Sequence, residues 1–325
     1  MRTNHETRMV GLLTPARSVS MGSIHISMRC AMRGSLAALL LGPCPGTLQA
    51  QVQSFVQVDV PGATLTRPTD VNNLGVIVGR FDDASGVHGF MLDGGNYATV
   101  DFPGSSFTTL LGIDDSGEVV GRYLSGGVDH GFLLTGGRFV AIEYPGAIHT
   151  QCHGINGQGQ IVGRYLDWQN PGNGGGGGRQ IEHGFLYDAG IYTSIDYPHA
   201  DTTDGWKITD LGVIVGDWST QGSLKSGSVH GYVYDGVSFT SIDVPGALLT
   251  ASREINSRGQ MIGIIWDKKF IDHGFVRVAG SYGTFDYPGA TRTFGSAIND
   301  SGVVVGSYLD ATGAEHGWSA MLQHD

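Results

Sequence analysis

One triplet constrains this chain more than any other feature. His-Gly-aromatic occurs six times, at His88, His130, His183, His230, His273 and His316. A second triplet, acid-x-Pro, also occurs six times, at Asp59, Asp101, Glu143, Asp196, Asp243 and Asp286. From each of the first five histidines to the next acid is 13 residues. The middle of each interval is a turn pair: Gly94-Gly95, Gly136-Gly137, Ala189-Gly190, Gly236-Val237 and Ala279-Gly280. A two-residue loop at glycine between apolar runs predicts a β-hairpin. In that register His and acid face each other as a non-hydrogen-bonded pair, where side chains come closest. Each such cross-strand pair contributes roughly 0.2–1 kcal/mol. The predicted structural pairs are His88–Asp101, His130–Glu143, His183–Asp196, His230–Asp243 and His273–Asp286.

The hairpin is half of a larger unit. An Ile-Asn type pair (Val71-Asn72, Ile113-Asp114, Ile155-Asn156, Ile208-Thr209, Ile255-Asn256, Ile298-Asn299) is followed by Gly three residues after its second member. Asx first and Gly fourth suits a tight turn closed by a left-handed glycine. Next comes an apolar run, such as Val76-Ile77-Val78, of the kind expected for a strand buried on both faces. A repeat of 42–53 residues with four strands is the pattern of a β-propeller blade. The ends complete the pattern. Phe55 to Pro61 is a fourth strand with no unit of its own, and His316-Gly317-Trp318 is a third strand with no fourth. The expected fold is therefore all-β. It is a six-bladed β-propeller of four-stranded antiparallel blades, spanning 51–325, with the ring closed by the N-terminal strand joining the last blade. Closure would remove both sheet edges and pair Asp59 with His316. An open β-solenoid, the competing architecture, has no need of complementary half-repeats at its ends.

Ile-Asn-x-x-Gly-x-Ile-Val-Gly followed by His-Gly-Phe resembles the bacterial HAF family of probable extracellular repeats, over roughly 55–320. The chain has Gly in place of the family's Ala at all six triplets, and Tyr232 or Trp318 in place of Phe at two. The resemblance implies export and a propeller-like fold, and brings no catalytic residue with it.

Residues 1–50 lie outside the repeat. Arg29 and Arg33 precede Leu36-Ala37-Ala38-Leu39-Leu40-Leu41, then Gly42, Pro43 and a polar stretch ending Leu48-Gln49-Ala50. This is the pattern of a secretory signal peptide cleaved near Ala50, with translation expected to start at Met28 or Met32. The alternative is a disordered arginine-containing tail. The apolar run is too short to span a bilayer. An extracellular or periplasmic location follows, with no transmembrane segment in the mature chain. Removing five basic residues and one acid takes the net charge from −11 to −15. That acidity disfavours nucleic acid and anionic lipid. Of Cys30, Cys44 and Cys152 only Cys152 remains, so no internal disulfide is expected and the protein is expected to be monomeric.

The interval from the acid to the Gly that closes the apolar run is 20 residues in every repeat. The interval from that Gly to the next His is 9, 9, 20, 14, 10 and 10 residues. Insertions are thus confined to the loop between second and third strands, on one face. Binding residues concentrate where a rigid scaffold carries variable loops. The long loops, Tyr165 to Glu182 and Asp217 to Val229, carry Trp168, Asn170, Arg179, Trp218 and Lys225, and the next loop carries Trp266. These are the candidate ligand-binding residues, because aromatics beside polar groups can stack on a sugar or grip a peptide. Trp218 also fits a packing role, since it occupies the position of Tyr123, Tyr165 and Tyr308.

Other chemistry finds little support. Six histidines, one per blade, would be spread around a ring rather than gathered into a metal site. Asp82, Asp83, Asp167, Asp272, Asp310 and Glu315 could offer oxygens to Ca²⁺, but no ligand spacing recurs. Hydrolase, phosphate-loop and dinucleotide signatures are absent. No cofactor and no metal are expected. The expected function is an exported binding module for carbohydrate or for an envelope or extracellular protein. The alternatives are a structural surface module, and a hydrolase or lyase with His153 and His199 near its axis.

Overall fold

The computed structural model describes residues 51–169, 179–220 and 229–323, with the backbone alone at Gln169 and Arg179. The chain divides into two units, Met1–Arg33 and Gly34–Asp325, and every described residue belongs to the second. The expected segment 1–50 lies outside the described residues.

Among the described residues twenty-four strands follow one another. β1 (Gln51–Gln57) stands first. Repeat one is β2 (Leu65–Val71), β3 (Ile77–Asp83), β4 (Gly86–Asp93) and β5 (Asn96–Val100). Repeat two is β6 (Thr108–Ile113), β7 (Val119–Ser125), β8 (Val128–Thr135) and β9 (Arg138–Ile142). Repeat three is β10 (His149–Ile155), β11 (Ile161–Gln169), β12 (Arg179–Asp188) and β13 (Ile191–Ile195). Repeat four is β14 (Thr202–Ile208), β15 (Ile214–Ser219), β16 (Val229–Tyr234) and β17 (Phe239–Ile242). Repeat five is β18 (Leu249–Ile255), β19 (Met261–Trp266), β20 (Asp272–Val278) and β21 (Ser281–Phe285). Repeat six has three strands of its own, β22 (Arg292–Ile298), β23 (Val303–Leu309) and β24 (Glu315–Gln323).

β1 supplies the missing fourth strand: it pairs antiparallel with β24, from Gln51 opposite Gln323 to Gln57 opposite Trp318. Successive inner strands touch all the way round, from β2 to β22 and back to β2. Every pairing within a repeat is antiparallel.

The sheets differ from the expected six separate blades. Four sheets have four strands, and the strands of repeats three and four form a single eight-stranded sheet. The insertion in repeat three prolongs the β11–β12 ladder out to Gln169 opposite Arg179. The join itself is a single parallel pairing of Glu182 with Thr202, the first residue of β14. At the equivalent seam between repeats one and two, Val87 and Phe107 form only an isolated parallel bridge.

Three repeat-wide devices hold the sheets together. First, the backbone N–H of the residue after each acid donates to a threonine seven residues beyond that acid: Val60 to Thr66, Phe102 to Thr108, Tyr144 to Thr150, Tyr197 to Thr203, Val244 to Thr250 and Tyr287 to Thr293, all at 3.0–3.1 Å. Second, that same residue stacks on the next repeat. Phe102 lies on Tyr123, Tyr144 on Tyr165, Tyr197 on Trp218 and Tyr287 on Tyr308, with centroids 3.5–4.1 Å apart. Third, the Asx turns join around the opposite face. Asn72 Nδ2 donates to Asp114 O, Asn156 to Thr209 O, Asn256 to Asn299 O and Asn299 to Asn72 O, at 2.9–3.0 Å. The two joints missing from this series begin at Asp114 and Thr209, whose side chains have no amide to donate.

All six inner strands carry a β-bulge at the same place, at Thr69, Leu111, His153, Trp206, Arg253 and Ser296. A bulge re-aims the side chains around it, and here it marks where the repeat stops being uniform.

Candidate functional site

On the loop-bearing face every His meets its acid. Nδ1 of His88, His130, His183, His230, His273 and His316 lies 2.6–2.8 Å from a carboxylate oxygen of Asp101, Glu143, Asp196, Asp243, Asp286 and Asp59 respectively. The histidine ring is stacked in five repeats on an aromatic ring of the second strand: Phe81, Tyr123, Tyr165, Trp218 or Tyr308. In four repeats Nε2 also approaches a second carboxylate, that of Asp83, Asp167, Asp267 or Asp310, at 3.3–3.7 Å. The hydrogen bond to Asp101 raises the His88 pKa and that to Asp196 raises His183, each against the opposing effect of burial. Three of the acids considered for Ca²⁺, Asp83, Asp167 and Asp310, are thereby engaged. Two more are held by arginines, Asp272 by Arg292 and Glu315 by both the Nε and Nη2 of Arg67. Among the described residues, no group of three or more His, Cys, Asp and Glu is placed to hold a metal ion.

The candidate loop residues separate into distinct settings. Trp168 is 53% exposed on the prolonged β11–β12 hairpin, opposite Gln180. Trp218 is covered on its two faces by Tyr197 and His230, so it packs the seam between repeats. Trp266 is half-buried, donates Nε1–H to Asp272 and packs against Val229, Leu249 and Ala251. Both are therefore parts of the scaffold. Arg179 is placed by its backbone at the start of β12, while Asn170 and Lys225 lie outside the described residues. Beside the Trp168 hairpin is a groove of about 320 Å³ lined by Glu182, His183, Asp196, Tyr197, Pro198 and His199. His199 occupies the left-handed turn position (φ 64°) that is Gly62, Gly104, Gly146, Gly246 or Gly289 in the other repeats.

Beneath this face lies a charged interior that the repeat pattern conceals. Lys207 of β14 reaches Asp70 of β2 at 2.6 Å and Glu254 of β18 at 3.1 Å. It separates two cavities, and with Glu254 it lines both. One, of about 150 Å³, opens among the Asx turns; the other, of about 90 Å³, is bordered by Asp70, Trp206 and Arg253. Burial opposes the charge on Lys207, but Asp70 and Glu254 outweigh it and raise its pKa. Burial and the nearby Asp70 push Glu254 well above the usual carboxylate range against the pull of Lys207.

A second cluster lies alongside. Asp204 and Asp217 sit directly opposite each other across β14 and β15. Asp217 accepts from Trp206 Nε1 at 2.8 Å and from Arg253 Nη1 at 2.6 Å, and the Arg253 guanidinium covers the Trp206 ring at 4.0 Å. Asp204 is 3.0 Å from His153 Nδ1 and 3.4 Å from Arg164. Burial raises Asp217 to about 6 despite Arg253, and raises Glu182 to about 7 with help from Asp204. His153 is buried, stacked on Trp206, and pushed down in pKa by that burial. His199 is exposed in its turn. The two residues of the hydrolase alternative thus occupy different environments.

Repeat alignment misses Asp70, Trp206, Lys207, Arg253 and Glu254 because it weights what recurs. A usable signal exists: eleven residues after each acid stand Asp70, Gly112, Gly154, Lys207, Glu254 and Ala297. A column that mixes charged residues with the smallest ones describes groups that share one space. The buried thiol of Cys152 is raised in pKa by its burial and forms part of the apolar core.

No protein-family model matches the chain, and no curated protein matches it. Among the described residues no helix is long and apolar enough to cross a membrane. Among solved structures it is similar to a candidate TolB from Agrobacterium tumefaciens, at 13% identity and TM-score 0.54, covering 86% of this chain and 100% of that one. It is also similar to the β-propeller domain of the Trilobed protease from Pyrococcus furiosus, at 12% identity and TM-score 0.51, covering 81% of this chain and 80% of that one. At such identities the likeness speaks to fold alone: this chain is an all-β propeller built of four-stranded antiparallel blades.

Proposed function

We propose that this protein is an exported binding module that takes carbohydrate, or an envelope or extracellular protein, on the loop-bearing face of a six-bladed ring. The observation that carries the reading is the groove of about 320 Å³ lined in part by β12, whose hairpin partner β11 carries the half-exposed Trp168. It lies at the hairpin with the longest ladder among the described residues. An aromatic beside a polar groove supplies stacking area and hydrogen-bonding partners together. The six-blade count is supported by six repeats of four strands each, two of which are joined by one Glu182–Thr202 pairing. Membership of the HAF extracellular repeats and secretion through a cleaved leader are supported by the sequence pattern. The test is a glycan and envelope-extract binding screen on the full chain and on Trp168→Ala. Loss of the stacking surface is expected to weaken binding by roughly tenfold, the upper end of what one aromatic contact contributes. An unchanged affinity in a folded variant defeats the groove, and silence across the whole screen favours a structural surface module.

A further inference from the structure

The loop after β19 breaks a rule that its siblings keep. In repeat six the chain turns at Asp310: Gly313 N donates to Asp310 O, and Thr312 N and Ala314 N donate to Asp310 Oδ1. Gly313 sits at φ 86°. In repeat five the same bonds recur atom for atom. Phe270 N donates to Asp267 O, and Lys269 N and Ile271 N donate to Asp267 Oδ1. The residue in the glycine position is Phe270, at φ 62°. A bulky side chain in the left-handed region is a strained choice where glycine is free. That Phe is 49% exposed, so burial does not account for it. Trp266 meets its ring edge-on at 6.0 Å and is itself fixed by Asp272. The turn therefore holds an aromatic ring outward on a rigid support, and backbone strain of this kind gathers where a site is pre-organised.

Charge names the partner. The chain has four lysines: Lys207, Lys225, Lys268 and Lys269. Lys207 is engaged inside the ring. Lys268 and Lys269, half of the total, stand exposed immediately before Phe270 in a chain of net charge −11. Adjacent cations beside an outward aromatic match a sugar ring that carries a carboxylate or sulfate. A neutral glycan has no use for the lysines, and an all-acidic peptide has none for the ring face.

We propose that the Asp267–Ile271 turn grips an anionic polysaccharide, with Phe270 stacking on a sugar ring and Lys268 and Lys269 meeting its acid groups. This rests on the reading of the loop-bearing face as a carbohydrate-binding surface. The full chain is titrated with polygalacturonate, dextran sulfate, neutral amylose and poly-glutamate at low and high salt. Binding to at least one anionic glycan, absent for amylose and weakened by salt as screening requires, is the expected result. Phe270→Gly is expected to lose roughly tenfold in affinity while its Tm is unchanged or higher, a combination that a packing residue would not give. Lys268→Glu with Lys269→Glu is expected to abolish binding. Wild-type affinity in Phe270→Gly, salt-independent binding, or preference for poly-glutamate or amylose overturns the proposal. If Trp168→Ala loses glycan binding while Phe270→Gly keeps it, the loop-face reading stands and this turn is excluded. If neither variant changes, both fail.

Discussion

The two faces of the ring are built on opposite principles. Around the Asx-turn face one Asn-to-carbonyl hydrogen bond recurs at four of the six joints, and Asn299 bonding to Asn72 O carries the series across the chain ends. On the loop-bearing face the His–acid pairs recur, but what stands above them changes: a prolonged hairpin in repeat three, a strained Phe270 in repeat five, a glycine at the same turn in repeat six. A scaffold can be regular on one side and varied on the other because loops on one face do not have to agree with one another, whereas turns that hydrogen-bond to their neighbours do.

That contrast can be broken most forcefully from within. Lys207→Met leaves Asp70 and Glu254 as uncompensated buried acids behind the Asx-turn face. It is expected to cost about 3–5 kcal/mol, read as a shift in urea midpoint. Completing the regular face works in the other direction. Asp114→Asn would add the missing amide donor while keeping the Oδ1 that accepts from Ser116 and Glu118, a gain of about 1 kcal/mol for one more hydrogen bond. Burial raises the Asp114 pKa. Its stability contribution is therefore present below the ordinary carboxylate value and lost as pH rises through the folded one, so the advantage of Asn should grow from pH 4 to pH 7. Thr209→Asn tests the second open joint in the same way. The smallest effect belongs to the loop face. His183→Gln should cost under about 1 kcal/mol, since its partner Asp196 is half-exposed. Because Asp196 raises the His183 pKa, the pair's contribution is full below the imidazole's ordinary value near 6.5 and fades as pH rises through the folded one. The difference between wild type and variant should therefore shrink toward pH 8.

Whatever depended on spacing along the chain was readable in advance. Thirteen residues from His to acid, twenty from acid to Gly, and complementary ends set out the hairpins and the closure of β1 on β24. The acid-to-threonine interval of seven is equally legible. What could not be read depended on which residues meet across the ring. Lys207 and Asp70 are 137 residues apart, and nothing local to either says that they face each other. Trp266 looked like a loop extra because its packing partner Val229 belongs to another repeat. Glu182 and Thr202 join two sheets because β14 begins at Thr202, one residue earlier in its repeat than β6 begins in its own, a difference that no spacing between motifs records.

The pairing of β1 with β24 has a consequence in time. A ribosome delivers Gln51 first and Gln323 last, so β1 waits through the synthesis of some 260 residues before its partner exists. Until then it is an unpaired strand that any exposed edge could capture. The final step of folding is thus a long-range closure with a large entropic cost. The Ser54 kink in the middle of β1 (φ 60°), where its register shifts, makes it a poor template for a wrong neighbour during that wait.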